Sequence, residues 1–172
     1  MLFRSGIHFM DGCRMALDAD KLPEHVISLG GRFGYDDDGE TPNTMLTYLD
    51  YRPAPIIFEV RGLPADKIFR QQGRMYMDKI YGISLGINVY CEDGYVSNNS
   101  AYQYNGRLIK EFESTGESLR VNFINAVKNR DIKSQNAHVL DGHLSMTLVH
   151  MANISYRMGE GVPNDEIRER IQ

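Results

Sequence analysis

The chain has 172 residues, of which 42% are hydrophobic and 24% are charged, proportions typical of one globular domain with a sizeable core. The formal net charge of -4 argues against a nucleic-acid partner, because phosphate binding needs an excess of lysine and arginine. No apolar run approaches the roughly 20 residues of a membrane-spanning helix. Cys13 and Cys91 lie far apart and suggest neither a disulfide framework nor a zinc cluster, so the reducing cytoplasm is the expected location.

A helix is predicted near the start of the chain, where four apolar residues recur with the helical period: Ile7, Met10, Cys13 and Leu17. His8 and Asp11 are three residues apart and are therefore neighbours on a different face of this helix. The positive end of the helix dipole favours a neutral imidazole at His8, the form that accepts a proton from an alcohol. His8 and Asp11 are thus the candidate catalytic pair. The alternative is a structural role, with His8 satisfied by the local backbone and Asp11 paired with Arg14 or a lysine.

The segments that follow favour strands. Residues 26–29 predict one strand, and residues 44–51 and 55–62 predict a hairpin whose second strand is buried on most of its length. Between them, residues 32–43 are almost wholly loop-forming and strongly acidic. This loop lacks the ligand spacing of a calcium-binding EF-hand, so a solvated loop that carries binding groups is the favoured interpretation.

Further strands are predicted in the middle of the chain. Residues 83–91 alternate as a strand with one apolar face, and a turn leads from them into a strand at residues 95–97. Asn105-Gly106 is a strong hairpin signal between two more strands, and strands joined by such tight turns form antiparallel sheets. Residues 63–81 are ambiguous between a loop and a short helix.

Two helices are predicted in the last third of the chain. The capping-box pattern of Ser114–Glu117 predicts a helix whose core stripe is Leu119, Phe123, Ala126 and Val127. Residues 136–158 predict a long helix that turns four apolar side chains inward: Leu140, Leu144, Met151 and Ile154.

This order of elements predicts an α+β fold, with an open, largely antiparallel β-sheet and helices packed on one face. The other face of the sheet carries large side chains such as Tyr48, Phe58 and Tyr90. Because an apolar face of this kind is usually buried against something, we expect the chain to form a homo-oligomer through its open sheet face. No G-x-G-x-x-G, P-loop or H-E-x-x-H motif occurs, so we expect neither a cofactor site nor a metal site within these residues.

Four segments, in order, resemble the C-terminal domain of the Gfo/Idh/MocA oxidoreductases, and specifically the bacterial branch that acts on sugar derivatives. Gly6, His8 and Asp11 resemble the G-x-H-x-x-D segment of that family. The other three segments resemble its sheet-entry loop, its next strand and its closing helix: Gly30–Thr44, Ile57–Leu63 and Asn136–Gly159. The resemblance implies a single substrate and oligomerisation domain over residues 1–172, without the Rossmann domain that precedes it in the family.

The resemblance also implies a division of roles. His8 would be the acid/base on the substrate hydroxyl, with Asp11 beside it, and NAD(P) would be bound by the Rossmann domain of a full-length parent. We expect a sugar-like small molecule to be held by five residues: Arg14, Arg32, Asp38, Glu40 and Thr41. The chain alone would then be inactive. The alternative is a non-enzymatic assembly domain, or a gene fragment, that oligomerises through its open sheet face.

Overall fold

The computed structural model describes residues 6–34, 36, 38–62, 79–113 and 116–159. The α+β prediction is confirmed, with antiparallel strands between one helix and a closing helical segment. The predictions for residues 63–78 and for Ser114 and Thr115 lie outside the described residues. In chain order the elements are α1 (Ile7–Ala16), β1 (Val26–Gly31), β2 (Thr44–Leu49), β3 (Ile56–Val60), β4 (Asn88–Tyr90), β5 (Gly94–Ser97), β6 (Ser100–Gln103), β7 (Leu108–Glu111), α2 (Leu119–Asn129), a 3-10 turn (Ile132–Ser134) and α3 (Val139–Gly159).

The first sheet has the strand order β1-β2-β3 and is antiparallel throughout. The predicted hairpin is confirmed, since β2 and β3 pair with Tyr48 opposite Ile57. The prediction that β3 is buried on most of its length is wrong, because Ile56 and Phe58 are buried whereas Ile57 is 66% exposed. The helices cover only one face of this sheet, so alternate residues of β3 face out. Phe58 consequently belongs to the core and not to the open face.

The second sheet has the order β4-β5-β6-β7, and the hairpin predicted at Asn105-Gly106 is confirmed between β6 and β7. The strand predicted over residues 83–91 is shorter than expected, because only Asn88–Tyr90 is extended and paired. Its predicted first half follows a tight turn at Tyr81 and Gly82, where both residues have positive φ. The open-face residue Tyr90 is exposed, as expected, and faces Tyr95 across the strand pair.

The core lies between the inner face of the first sheet and the two helices α1 and α3. The predicted stripe of α1 is confirmed, because Met10 is completely buried and Ile7, Cys13 and Leu17 pack around the core. The main buried apolar side chains come from β2, β3 and α3: Met45, Leu49, Ile56, Phe58, Leu148, Val149 and Ala152. Chain segments far apart in sequence therefore share one core.

The inward faces predicted for the last two helices are wrong in part, since Leu144 and Met151 are half-buried but other members of the two stripes are exposed. In α3, Leu140 and Ile154 are more than half exposed, and the buried residues are Ser145, Leu148, Val149 and Ala152. In α2, Ala126 alone of the predicted stripe is buried, whereas Leu119, Phe123 and Val127 are exposed. This helix is capped by Ser118, whose hydroxyl accepts the amide hydrogen of Val121 at 3.4 Å.

Among the described segments, none of the helices combines the length and the apolar character that crossing a bilayer requires.

Candidate functional site

A polar network joins α1 to α3, and it includes the candidate catalytic residue Asp11. The Arg14 side chain is only 6% exposed, and its Nη1 donates to Ser145 Oγ at 2.9 Å and to the Asp141 carbonyl at 3.1 Å. Its Nε donates to the Ala19 carbonyl at 3.1 Å, just past the end of α1. Ser145 Oγ in turn donates to Asp11 Oδ1 at 2.6 Å. We call Asp11, Arg14, Asp141 and Ser145 the interhelical clamp.

The clamp places Arg14 in a structural role. Its guanidinium lies 3.5 Å from Asp11 Oδ1 and 3.8 Å from Asp141 Oδ1, so the buried positive charge has two carboxylates beside it. A buried cation needs this compensation, because its desolvation is costly when it is unpaired. The donors of Arg14 that bond here point at protein atoms, and the structure therefore does not present them to a substrate.

His8 lies in the first turn of α1 and is exposed to solvent. It is one helical turn from Asp11, as the spacing predicts. The Asp11 carboxylate, however, is engaged by Ser145 and Arg14, and within the described segments no hydrogen bond joins it to the His8 ring. The structure thus shows the Asp11–Arg14 pairing that the sequence offered as the alternative, while His8 stays open to a ligand.

The loop between β1 and β2 is held together by two side chains. Arg32 Nη1 donates to the Thr41 carbonyl at 3.0 Å, and its guanidinium lies so close to Gly39 that a Cβ there would overlap it. At the base of the loop, Asn43 Nδ2 donates to the Phe33 carbonyl at 2.7 Å, and Asn43 Oδ1 accepts from the Phe33 amide at 3.1 Å. Asn43 was not among the predicted site residues, although an asparagine at a strand start commonly bonds the local backbone.

The remaining predicted substrate residues lie on the outside of this loop. Asp38, Glu40 and Thr41 are all exposed, so their side chains are accessible to a ligand. No hydrogen bond or ion pair in the described part of the chain connects the loop to His8. The loop is therefore held by Arg32 and Asn43. It makes no direct polar contact with His8 among the residues that the structure describes.

Cys13 is half-buried on α1 and packs against the core. Burial raises the pKa of its thiol to about 11, because the apolar surroundings disfavour the thiolate. A thiol that remains protonated at neutral pH is a poor nucleophile. Cys13 is accordingly a core residue and a poor candidate for nucleophilic chemistry.

The described strands build no Rossmann-type dinucleotide cradle. The strand pairs that they form are antiparallel, whereas a dinucleotide cradle needs a parallel strand followed by a glycine-rich turn and a helix N-terminus. The two glycines that end β1 lead into the loop that Arg32 closes, and not into a helix.

Comparison with solved structures identifies proteins of similar fold. No protein-family model matches the sequence, and no curated protein matches it. Solved structures do match: a Klebsiella pneumoniae protein provisionally described as an oxidoreductase superimposes with a TM-score of 0.62 at 14% identity, over 100% of this chain and 54% of its own. A similarly described protein of Bacteroides fragilis gives a TM-score of 0.56 at 12% identity, over 91% of this chain and 49% of its own.

A third similar structure, of yvaA from Bacillus subtilis, carries the same provisional description and gives a TM-score of 0.53 at 10% identity. The aligned region covers 91% of this chain and 49% of the yvaA chain. The chain thus spans about half the length of the structures that it matches. At these identities the likeness establishes the fold, which is that of one half of these bacterial proteins.

Proposed function

We propose that this chain is the substrate-binding half of an NAD(P)-dependent oxidoreductase that acts on a sugar or polyol derivative. The observation that carries the proposal is that the whole chain superimposes on about half of a protein provisionally described as an oxidoreductase. The resemblance of Gly6, His8 and Asp11 to the G-x-H-x-x-D segment supports the same conclusion. The cofactor belongs to a separate dinucleotide-binding domain and supplies the hydride chemistry there.

His8 is the proposed acid/base. Its ring is exposed to solvent, so it can reach a substrate hydroxyl and exchange the hydroxyl proton. The interhelical clamp holds the helix that carries His8, because Asp11 and Arg14 fix α1 against α3. A fixed helix limits the positions that the imidazole can take, and such positioning favours proton transfer. Asp38, Glu40 and Thr41 offer oxygen atoms to the other hydroxyls of the substrate.

Titration with NADH tests the assignment of the cofactor to another domain. We expect nicotinamide fluorescence to stay unchanged when NADH is added to the chain, because the described strands build no dinucleotide cradle. A two-domain dehydrogenase measured under the same conditions is the positive control. A saturable fluorescence change with this chain would mean that it binds the cofactor itself. The assignment of cofactor binding to a separate domain would then be wrong.

A second candidate function, assembly without catalysis, is favoured by the outer face of the first sheet. Five apolar side chains face solvent there in cross-strand rows, with Ile27 opposite Tyr48 and Leu29 opposite Leu46; Ile57 lies beyond Tyr48. Ile27, Leu29 and Ile57 are each more than half exposed. A continuous apolar face of this kind is typical of a surface that another chain covers. We propose that a second copy of the chain covers it.

The charge-insertion variant Ile57→Glu tests this assembly. Light scattering is expected to give the mass of an oligomer for the wild type and of a monomer for Ile57→Glu, because a carboxylate buried in an apolar interface is strongly unfavourable. Val139→Glu is the matched control, since Val139 is 79% exposed on α3 and away from the sheet face. A monomeric wild type, or equal masses for the two variants, would contradict assembly through this face.

A further inference from the structure

Three potential metal ligands converge at one end of the first sheet, outside the site described above. Glu24 and His25 immediately precede β1, and Asp50 immediately follows β2. One ligand atom from each side chain lies within 4.8 Å of the other two. We propose that Glu24, His25 and Asp50 bind a divalent transition-metal ion of the zinc type. The sequence alone predicted no metal site, and this one does not depend on the proposed oxidoreductase function.

The spacing of the ligand atoms suits a small ion. His25 Nδ1 lies 3.4 Å from Asp50 Oδ2. Ligand atoms about 2.0–2.1 Å from a tetrahedral zinc ion are roughly 3.3–3.4 Å apart. The two groups therefore need little movement to share one ion, and an oxygen of the Glu24 carboxylate lies within 4.8 Å of both. Water would take the fourth coordination position of the ion, because the exposed His25 leaves the site open to solvent.

The sheet itself brings His25 and Asp50 together. The Asp50 amide donates to the His25 carbonyl at 3.0 Å, which extends the β1–β2 ladder beyond the pair formed by Val26 and Leu49. The carboxylate of Asp50 is also oriented, because its Oδ1 accepts from the Tyr48 hydroxyl at 3.4 Å while Oδ2 faces His25. A site on strand ends held in this way is formed before the ion arrives, which lowers the cost of binding.

The charge around the site favours a cation. Two of the ligands, Glu24 and Asp50, line a cleft between residues 17–24 and residues 50–52. Four carboxylates border this cleft against two cations: Asp18, Asp20, Glu24 and Asp50 against Lys21 and Arg52. The guanidinium of Arg52 lies 3.7 Å from Asp50 Oδ1, but its side chain is 84% exposed. An exposed ion pair of this kind is weak, so Arg52 can turn into solvent when an ion binds.

The kind of ion follows from the ligand atoms. Calcium and magnesium prefer sites made only of oxygen atoms. An imidazole nitrogen together with carboxylate oxygens suits zinc and its neighbours in the first transition row. Zinc is therefore the probe, and calcium is the ion that the site is expected to refuse.

Calorimetric titration of the full chain with zinc chloride tests the proposal. We expect one ion to bind per chain, with binding weakened roughly tenfold or more in His25→Ala and in Glu24→Gln. His143→Ala is the matched control, because His143 is an exposed histidine on α3 and its removal should leave the affinity unchanged. Zinc should also raise the melting temperature of the wild type and not that of His25→Ala, since an ion that binds only the folded state stabilises it.

Several results would overturn the zinc site. These are the absence of saturable zinc binding in the wild type, unchanged affinity in both His25→Ala and Glu24→Gln, an equal loss in His143→Ala, or calcium binding as tight as zinc binding. The His25 side chain is 72% exposed, and its ring pairs with Asp50. The variants should therefore fold, which melting without zinc verifies, and Glu24→Gln provides a second measurement should His25→Ala fail to do so.

Discussion

The variant Arg14→Ala is expected to lower the free energy of unfolding by about 3 kcal/mol, because it breaks a buried ion pair by removing one partner. The change leaves Ser145 Oγ and the carbonyls of Ala19 and Asp141 without the donor that they share. The loss should lie near the lower end of the range for buried pairs, since Asp11 and Asp141 are themselves 42% and 55% exposed and can be hydrated. Urea denaturation followed by circular dichroism measures it.

Arg120→Ala is the control for this prediction. Arg120 is exposed on α2, and a surface substitution of this kind usually changes stability by no more than about 0.5 kcal/mol. Ser145→Ala should give an intermediate loss of roughly 1–3 kcal/mol, because it removes one hydrogen-bonding group from the clamp and leaves its partners in part unsatisfied. If Arg14→Ala and Arg120→Ala unfold at the same urea concentration, the clamp does not hold α1 to α3.

The variant His8→Ala should reduce turnover by about 10²–10⁴-fold when the chain is joined to a dinucleotide-binding domain and supplied with its sugar or polyol substrate. The loss is expected in kcat, because His8 is proposed to move a proton in the transition state and not to supply ground-state binding. Stopped-flow or steady-state absorbance of NAD(P)H measures it. His8 is exposed, so the melting temperature should not change.

His143→Ala provides the comparison for His8→Ala, since it removes an exposed imidazole from α3 and not from α1. Its turnover should equal that of the wild type. Undiminished turnover in His8→Ala would exclude His8 as the acid/base. A loss confined to KM would instead assign His8 to substrate binding.

Local patterns in the sequence were sufficient for both hairpins. The Asn105-Gly106 turn predicted the β6–β7 hairpin, and two strand-like runs separated by Arg52-Pro53-Ala54 predicted the pairing of β2 with β3. These signals succeed because a hairpin is fixed by residues that are close in sequence. The strand predicted over residues 83–91 forms only at Asn88–Tyr90, because the backbone bends at residues 84–86.

The buried faces of the last two helices could not be predicted from any short stretch of sequence. Helix α3 has apolar residues on more than one face, and the face turned inward is the one that includes Ser145. A serine is not an obvious core residue, and its burial follows from its bonds to Asp11 and Arg14, which are 134 and 131 residues away in sequence. Tertiary contacts of this kind override hydrophobic periodicity.

The same limit applies to the candidate sites. The sequence identified His8 and Asp11 as helix neighbours, but it could not choose Ser145 as the hydrogen-bond partner of Asp11. Nor could it connect His25 with Asp50, which become adjacent only through the register of β1 and β2. Ligands contributed by separate segments become recognisable once the strand pairing is known.

The interhelical clamp also constrains how the chain reaches its native state. Because Arg14 and Ser145 are 131 positions apart in the sequence, α1 can complete its packing only after α3 has been synthesised. Met10 at the centre of α1 lies in the same core as Leu148 of α3. Closing so long a loop is slow, so the docking of α1 against α3 is expected late in folding.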